Sequence, residues 1–327
     1  MNEKSLTVLE QYDLKINGTY RIKGNYGCDT DSGRYILQEY NNSNEKMAAM
    51  KVLYNHLKKN GFTTDYVVPN KDGNFVSVSE DGYTYILKRW FHAEECNVGN
   101  ESHLLAGAKN LGRFHCCLEN NRELLEEYRA FHPGKNMQDV FERHNKEIIT
   151  IRNYIKKRKN KNYFEMSLHN IIEQYDLQAQ EAANKLKKSD YAQKYAGAVE
   201  SKTLNHGYYN YHNILFDREK VIMINMLKVN YAPQIQDLYD WLRKAMEKND
   251  WDVELGKKII EAYDGCRSIT DSEYNILKIM LSYPEKFWKI INYYYNSNKA
   301  WYSEKNEDKL IKFSKQENLR WNFIKNL

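Results

Sequence analysis

The sequence has 327 residues, 42% of them hydrophobic, which is enough for one large or two medium domains with a buried core. Its formal net charge is +5, from 49 basic against 44 acidic residues, a mild excess that reads as a mixed solvated surface and argues against a nucleic-acid partner. No stretch approaches the ~18 apolar residues of a membrane span, Met1-Asn2-Glu3-Lys4-Ser5 lacks the apolar core of a signal peptide, and the five cysteines (Cys28, Cys96, Cys116, Cys117 and Cys266) fit neither a disulfide framework nor a zinc site, so reduced thiols in a cytoplasmic protein are expected.

Residues 1–16 read as a short helix followed by a strand. Thr19–Lys23 and Gly33–Tyr40 read as strands rich in aromatic and β-branched residues. Between them Gly24–Gly33 carries three glycines, which suit either a loop over a ligand or a hairpin turn. Asn44–Asn60 predicts a helix, with Ala48, Ala49, Val52, Leu53 and Leu57 at helical spacing and Gly61 as the residue that ends it. Val67-Val68-Pro69 closes the connection. Asn74–Ser79 and Tyr83–Trp90 predict two further strands around an Asp81-Gly82 turn.

Beyond residue 96 the pattern turns helical. Glu101–Glu119 places Leu104, Leu105, Ala108, Leu111 and Phe114 on one face. Met137–Lys159 is a second long helix, and its closing run Lys156-Lys157-Arg158-Lys159-Asn160-Lys161 complements the helix dipole as a solvated face. Tyr163–Ser189 is a third. A polar loop between apolar flanks follows, Leu204–Phe216, the kind of place where functional groups collect. Strands at Asn213–Phe216 and Val221–Ile224 come next. Helices are expected over Gln234–Lys248 and over roughly 253–264, 270–282, 284–296 and 304–326. No internal repeat is visible.

The loop reads Leu204-Asn205-His206-Gly207-Tyr208-Tyr209-Asn210-Tyr211-His212-Asn213-Ile214-Leu215-Phe216. His-Gly followed by Asn at 213 and an apolar strand resembles the catalytic loop of the aminoglycoside phosphotransferase and choline kinase group. Within that group Tyr211-His212-Asn213-Ile214-Leu215 most resembles the kinase-like spore-coat proteins of the CotS type. Leu111-Gly112-Arg113-Phe114-His115 resembles a Leu-x-x-Phe-His segment of the same large lobe. The resemblance implies an α+β, two-lobe, protein-kinase-like fold. Residues 1–91 would form a small lobe of antiparallel sheet plus helix, with five strands, and 92–327 a mainly helical large lobe with the catalytic-loop equivalent at 204–216. Trp90 and Phe91 would lie at the hinge, whose backbone would face an adenine ring.

Phosphoryl transfer needs positioning and charge neutralisation more than covalent chemistry, and the resemblance locates each part. The phosphate-holding Lys falls at Gln38, which carries no charge; Lys88 and Arg89 are the nearest alternatives by pattern. The catalytic Asp falls at Tyr208, a poor base at neutral pH and bulky enough to enter the acceptor side, where it is expected to pack on Tyr209 or Tyr211. The catalytic-loop Asn is kept as Asn213. The strand-end metal Asp falls at Asn225, a neutral ligand for Mg²⁺, which favours carboxylate oxygen. His206 would pack the loop backbone. Asp237, in Asp237-Leu238-Tyr239, would brace the loop, the plain alternative being a surface helix residue.

With three charged positions replaced, the resemblance implies a catalytically inactive kinase-like protein, with no cofactor expected. It would assemble from the mother-cell cytoplasm into the spore coat, as a structural or binding component, with other coat proteins as partners. The 27 tyrosines suit extensive contacts. The alternative is an active small-molecule or sugar phosphotransferase that uses ATP and Mg²⁺ with unusual ligands.

Overall fold

A 3-10 helix over Glu3–Gln11 leads into three antiparallel strands, β1 (Ile16–Ile22), β2 (Asn25–Thr30) and β3 (Gly33–Glu39). The structure, a computed structural model, describes residues 3–22, 24–119, 127–296 and 304–327; Met1, Asn2 and Lys23, used in the sequence reading, lie outside them. Helix α1 (Asn44–Lys59) follows, then β4 (Thr63–Thr64), β5 (Val67–Val68), β6 (Ser77–Val78) and β7 (Thr84–Trp90). The first sheet has six strands, in the order β1-β2-β3-β7-β5 with β6 on β7. Side chains alternate across it. Tyr26, Cys28, Tyr35, Leu37, Tyr85 and Leu87 form one apolar face, covered by Val8, Leu9 and Tyr12 of the 3-10 helix. The residues between them, among them Gln38 and Lys88, look the other way, toward α1 and the large lobe.

Helix α1 shows why the sequence was readable here. Ser43 caps it by accepting from the Lys46 N–H. At the other end Gly61 takes φ +79°, and the Phe62 and Gly61 N–H groups donate to the Leu57 and Lys58 carbonyls. This closure needs a left-handed residue, which glycine adopts without a Cβ penalty.

The large lobe contains α2 (Glu101–Glu119), α3 (Met137–Lys157), α4 (Tyr163–Lys188) and α5 (Tyr191–Glu200). After it come β9 (Leu204–Asn205), the hairpin β10 (Ile214–Asp217) and β11 (Lys220–Met223), and β12 (Asn230–Tyr231). Helices α6 (Ile235–Met246), α7 (Val253–Asp264), α8 (Asp271–Ser282), α9 (Glu285–Asn296) and α10 (Glu304–Asn326) complete the chain. One apolar core runs from α1 through these helices.

Four local readings are corrected. Gly24–Gly33 is not a loop over a ligand: it holds strand β2, with hairpin turns at Gly24 and at Asp31-Ser32 as the other reading had it, because Tyr26 and Cys28 are buried and the backbone pairs on both sides. The first sheet has six strands rather than five, because Val67–Val68 of the connection also pairs with β7. In Asn74–Ser79 only Ser77–Val78 pairs; Asn70 Oδ1 accepts from the Asp72 and Asn74 N–H groups and makes the start of that segment a turn. Residues 191–200, given no element in the sequence reading, form α5.

A second sheet joins the two parts of the chain. β4, immediately after α1, pairs in parallel with β11, and β8 (Glu94–Glu95) pairs with β10. The segment that follows α1 is thereby fastened to the hairpin that ends at Met223, two residues before Asn225.

Candidate functional site

The loop between β9 and β10 is held from beneath by Asp237 in the first turn of α6. Its carboxylate is 2% exposed. It accepts from the His206 N–H at 2.6 Å, the Gly207 N–H at 3.0 Å and the His115 Nε2 at 3.2 Å. Burial pushes the Asp237 carboxyl up to about 6, against the pull of His206 and the backbone donors. His115 and His206 are both held below the usual imidazole range, first by burial, so both are neutral rings with one N–H each. A carbonyl and a carboxylate only accept. The His206 Nε2–H therefore donates to the Ile224 carbonyl at 3.0 Å, which leaves its Nδ1 to accept from the Tyr208 N–H at 3.3 Å. Gly207 is required at its place: φ is +73°, and a Cβ there would lie 2.1 Å from Asn230 Nδ2 and 2.5 Å from the Lys228 carbonyl.

Above this frame lie the two amides of the phosphotransferase pattern. Asn213, 3% exposed, donates Nδ2 to the Tyr208 carbonyl at 2.7 Å and accepts at Oδ1 from Asn225 Nδ2 at 2.6 Å. Asn225 takes the left-handed conformation, φ +65°, which Asn tolerates better than most residues. Its backbone is pinned by Asp65. The Asn225 and Met226 N–H groups donate to the two Asp65 oxygens at 2.8 and 3.2 Å, and Lys88 Nζ meets the same carboxylate at 2.8 Å.

These residues do not fit a divalent cation. The side-chain oxygen that Asn213 could offer is taken by the Asn225 amide, which presents a donor where a metal needs an acceptor. Neither side chain carries charge. Among the described residues no group of three His, Cys, Asp or Glu side chains is placed to hold a metal ion.

Gln38 and Tyr208 both line a cleft of ≈ 940 Å³ between the small-lobe sheet, the loop and helices α3, α6 and α9. Tyr208 is 47% exposed. It packs on neither expected tyrosine: its ring lies 5.2 Å beneath Lys244 Nζ. Tyr209 turns inward, fully buried, donating to the Gly107 carbonyl at 2.7 Å and standing edge-on to Trp241, while Tyr211 lies against His212. Successive side chains of this loop point apart, and Tyr209 takes the inner place.

Lys88 and Arg89 are corrected as stand-ins for the phosphate lysine. Lys88 is 3% exposed and spent on Asp65. Arg89 points the other way, over the Tyr35 ring, and donates to the Ser32 carbonyl. Trp90 and Phe91, the residues expected at the hinge, pack with Ala93 on Leu215, Ile222 and Ile224 of the large-lobe hairpin. The residues the sequence reading missed are Asp65, Lys46, Tyr239 and Lys244. Asp65 follows a polar Thr-Thr pair with no motif, and its role arises only because β4 joins β11. Lys46 and Lys244 read as ordinary helix-surface lysines until the lobes close around them.

The same architecture occurs in an aminoglycoside phosphotransferase from Alicyclobacillus acidocaldarius subsp. acidocaldarius, with a TM-score of 0.82 at 20% identity, covering 97% of this chain and 93% of that one. Spectinomycin phosphotransferase APH(9)-Ia, solved with ADP and spectinomycin, gives 0.67 at 12% identity over 98% and 97% of the two chains. A choline/ethanolamine kinase family protein from Mesorhizobium loti gives 0.52 at 14% identity over 96% and 90%. At these identities the likeness establishes the fold, which is the two-lobe, aminoglycoside phosphotransferase-like one. No curated protein matches the chain. The family described as "Spore coat putative kinase YutH" matches residues 5–327.

Proposed function

We propose, from the premise that the chain belongs to the "Spore coat putative kinase YutH" family, that it is a kinase-fold component of the spore coat that does not transfer phosphoryl groups. The observation that carries this reading is the hydrogen bond that Asn225 Nδ2 donates to Asn213 Oδ1 at 2.6 Å. Two metal-binding side chains facing one another as oxygens repel unless a cation lies between them. An amide donor against an amide acceptor attracts with nothing between them. The pair is thus stable in the absence of the dication that phosphoryl transfer needs.

Three further features support it. Tyr208 replaces the carboxylate that would orient an acceptor hydroxyl, and its half-exposed ring projects into the cleft. Gln38 brings no charge to a phosphate. The rings of Trp90 and Phe91, at the expected hinge, are turned onto the apolar face of the hairpin. The protein would act as a binding or structural part, assembled with other coat proteins from the mother-cell cytoplasm. No helix among the described residues is long and apolar enough to cross a membrane.

A second reading, an ATP-dependent small-molecule or sugar phosphotransferase with unusual ligands, has one observation in its favour. Asp240 lines the same cleft as Tyr208, so a carboxylate is present, although it is engaged by Arg243 at 3.3 Å. ATP consumption by the purified chain, assayed with Mg²⁺ against sugars, choline, aminoglycosides and protein extract, separates the two. The expected result is no acceptor-dependent turnover. Turnover abolished by Asn213→Ala establishes the second reading instead.

A further inference from the structure

The cleft beside Tyr208 carries an imbalance of charge that its own residues leave uncorrected. Six cations line it: Lys46, Lys135, Arg143, Lys228, Lys244 and Lys289. Four carboxylates line it too, Glu39, Asp237, Asp240 and Glu285, but three of them are already engaged. Asp237 is enclosed by its loop donors, Asp240 meets Arg243 at 3.3 Å, and Glu285 meets Lys289 at 3.2 Å. Lys289 apart, none of the cleft cations forms an ion pair among the described residues.

Two of the cations are held in unfavourable places. Lys46 is 9% exposed, and its ammonium has only the Asn42 side-chain oxygen, at 3.4 Å. Its proton affinity is lowered by burial and by the like charge of Lys228. Lys244 lies over the Tyr208 ring, with Lys289 and Arg243 as like-charged neighbours and Asp240 and Glu247 opposing them. A third group is unsatisfied. The Tyr239 hydroxyl, in a residue 3% exposed that also lines the cleft, has no hydrogen-bond partner. Lone ammonium groups and a lone hydroxyl donor have one remedy in common, a ligand that accepts hydrogen bonds and carries negative charge.

We propose that this cleft binds a small organic polyanion, a phosphorylated or carboxylated molecule, with Lys46, Lys244 and the Tyr239 hydroxyl as its donors and the Tyr208 ring as one wall. A volume of ≈ 940 Å³ suits such a molecule. It does not suit the cationic acceptors, aminoglycosides or choline, that the shared fold would otherwise suggest, since a cation would add to the charge already there. The proposal rests on the reading that the cleft is a binding site and not a site of phosphoryl transfer.

The test is calorimetric titration of the full chain at low ionic strength, in EDTA and without ATP. Pyrophosphate, citrate and choline serve as the probes, and the first two distinguish a phosphate from a carboxylate ligand. Saturable one-to-one binding of pyrophosphate or citrate is expected, with none of choline. Lys46→Met and Lys244→Met should each weaken it about tenfold, the loss of one charge-assisted hydrogen bond. Lys244→Arg should retain it, and Lys257→Met, on the exposed face of α7, should leave it unchanged. Should Lys46→Met fail to fold, Tyr239→Phe, which removes only the unpartnered hydroxyl, takes its place with the same expectation. Absence of saturable anion binding, binding indifferent to these substitutions, or preferential binding of choline overturns the proposal. ATP turnover with anion binding intact would instead overturn the reading of the protein as inactive.

Discussion

Replacing Asn225 by Asp tests the amide pair directly. The substitution keeps the size of the side chain and exchanges its donor for a second acceptor. Asn213 Oδ1, 2.6 Å away, then faces an oxygen. It cannot turn its amide to compensate without giving up the bond from Nδ2 to the Tyr208 carbonyl at 2.7 Å. The new carboxylate also joins Asp65, whose oxygen already accepts from the backbone N–H of the same residue at 2.8 Å. A buried acceptor left without its donor costs about 1–3 kcal/mol, and the carboxylate pair adds to this. In the absence of metal, Asn225→Asp should therefore melt several degrees below the wild type.

Mg²⁺ should reverse the effect in the variant alone. The Asp and the Asn213 oxygen then form a partial site, and at ten times the dissociation constant the cation restores about 1.4 kcal/mol. Melting curves of both proteins with EDTA and with Mg²⁺ decide the matter. Wild type stabilised by Mg²⁺ as much as the variant, or a variant that loses nothing in EDTA, refutes the account of the amide pair.

Asp65→Ala leaves the Lys88 ammonium buried and unpaired and releases the backbone of residues 225 and 226; it should cost about 3–5 kcal/mol, read by urea denaturation, and a cost below about 1 kcal/mol would contradict the pairing. Tyr208→Asp alone should give no ATP turnover, because groups that act as a unit are non-additive; the triple change Gln38→Lys, Tyr208→Asp, Asn225→Asp is the variant in which acceptor-dependent consumption of ATP is to be sought. The Lys244 ammonium is pushed down to about 8, chiefly by burial, with Lys289 of α9 and Arg243 acting in the same direction and Asp240 and Glu247 opposing. Anion binding is strengthened by that proton, so above pH 8 the dissociation constant should rise and level off about tenfold higher, the loss expected of Lys244→Met, a rise that Lys244→Met should abolish.

Much of the architecture was legible because periodicity and end signals agreed. In α1 the apolar spacing, Ser43 at one end and Gly61 at the other all point to one helix. The helices over 253–264, 270–282, 284–296 and 304–326 were similarly visible within a residue or so. What escaped were elements defined by partners distant in sequence. Thr63–Thr64 is a strand only because β11 lies beside it, and Gly24–Gly33 resembled a loop because glycine content says nothing about pairing on both sides. The loop motif located Tyr208, Asn213 and Asn225, yet spacing could not tell that the two amides bond to each other. Nor could it foresee that Tyr209, rather than Tyr208, turns into the core.

The pattern of retained and replaced residues follows from where each side chain's partners are. His206, Gly207 and Asp237 bond to or abut the protein itself: a carbonyl, two N–H groups, a neighbouring amide. Losing any of them breaks the loop whether or not a nucleotide is ever bound. The positions that read Gln38, Tyr208 and Asn225 are those whose charged counterparts in the phosphotransferase pattern would face phosphate, acceptor or metal. A carboxylate at 225 without metal carries a standing electrostatic cost, and an amide there relieves it by bonding to Asn213. The tyrosine at 208 removes a carboxylate that could have paired with Lys244 and leaves that cation only a ring to lie on at 5.2 Å. The replacement at 225 removes the need for a metal there, the replacement at 208 takes a negative charge out of the cleft, and both leave the frame that shapes it. Lys46, which has only the Asn42 oxygen, and Lys244, which has a ring beneath it, form no ion pair among the described residues, and this contrast within one cleft is what points to an anion as its occupant.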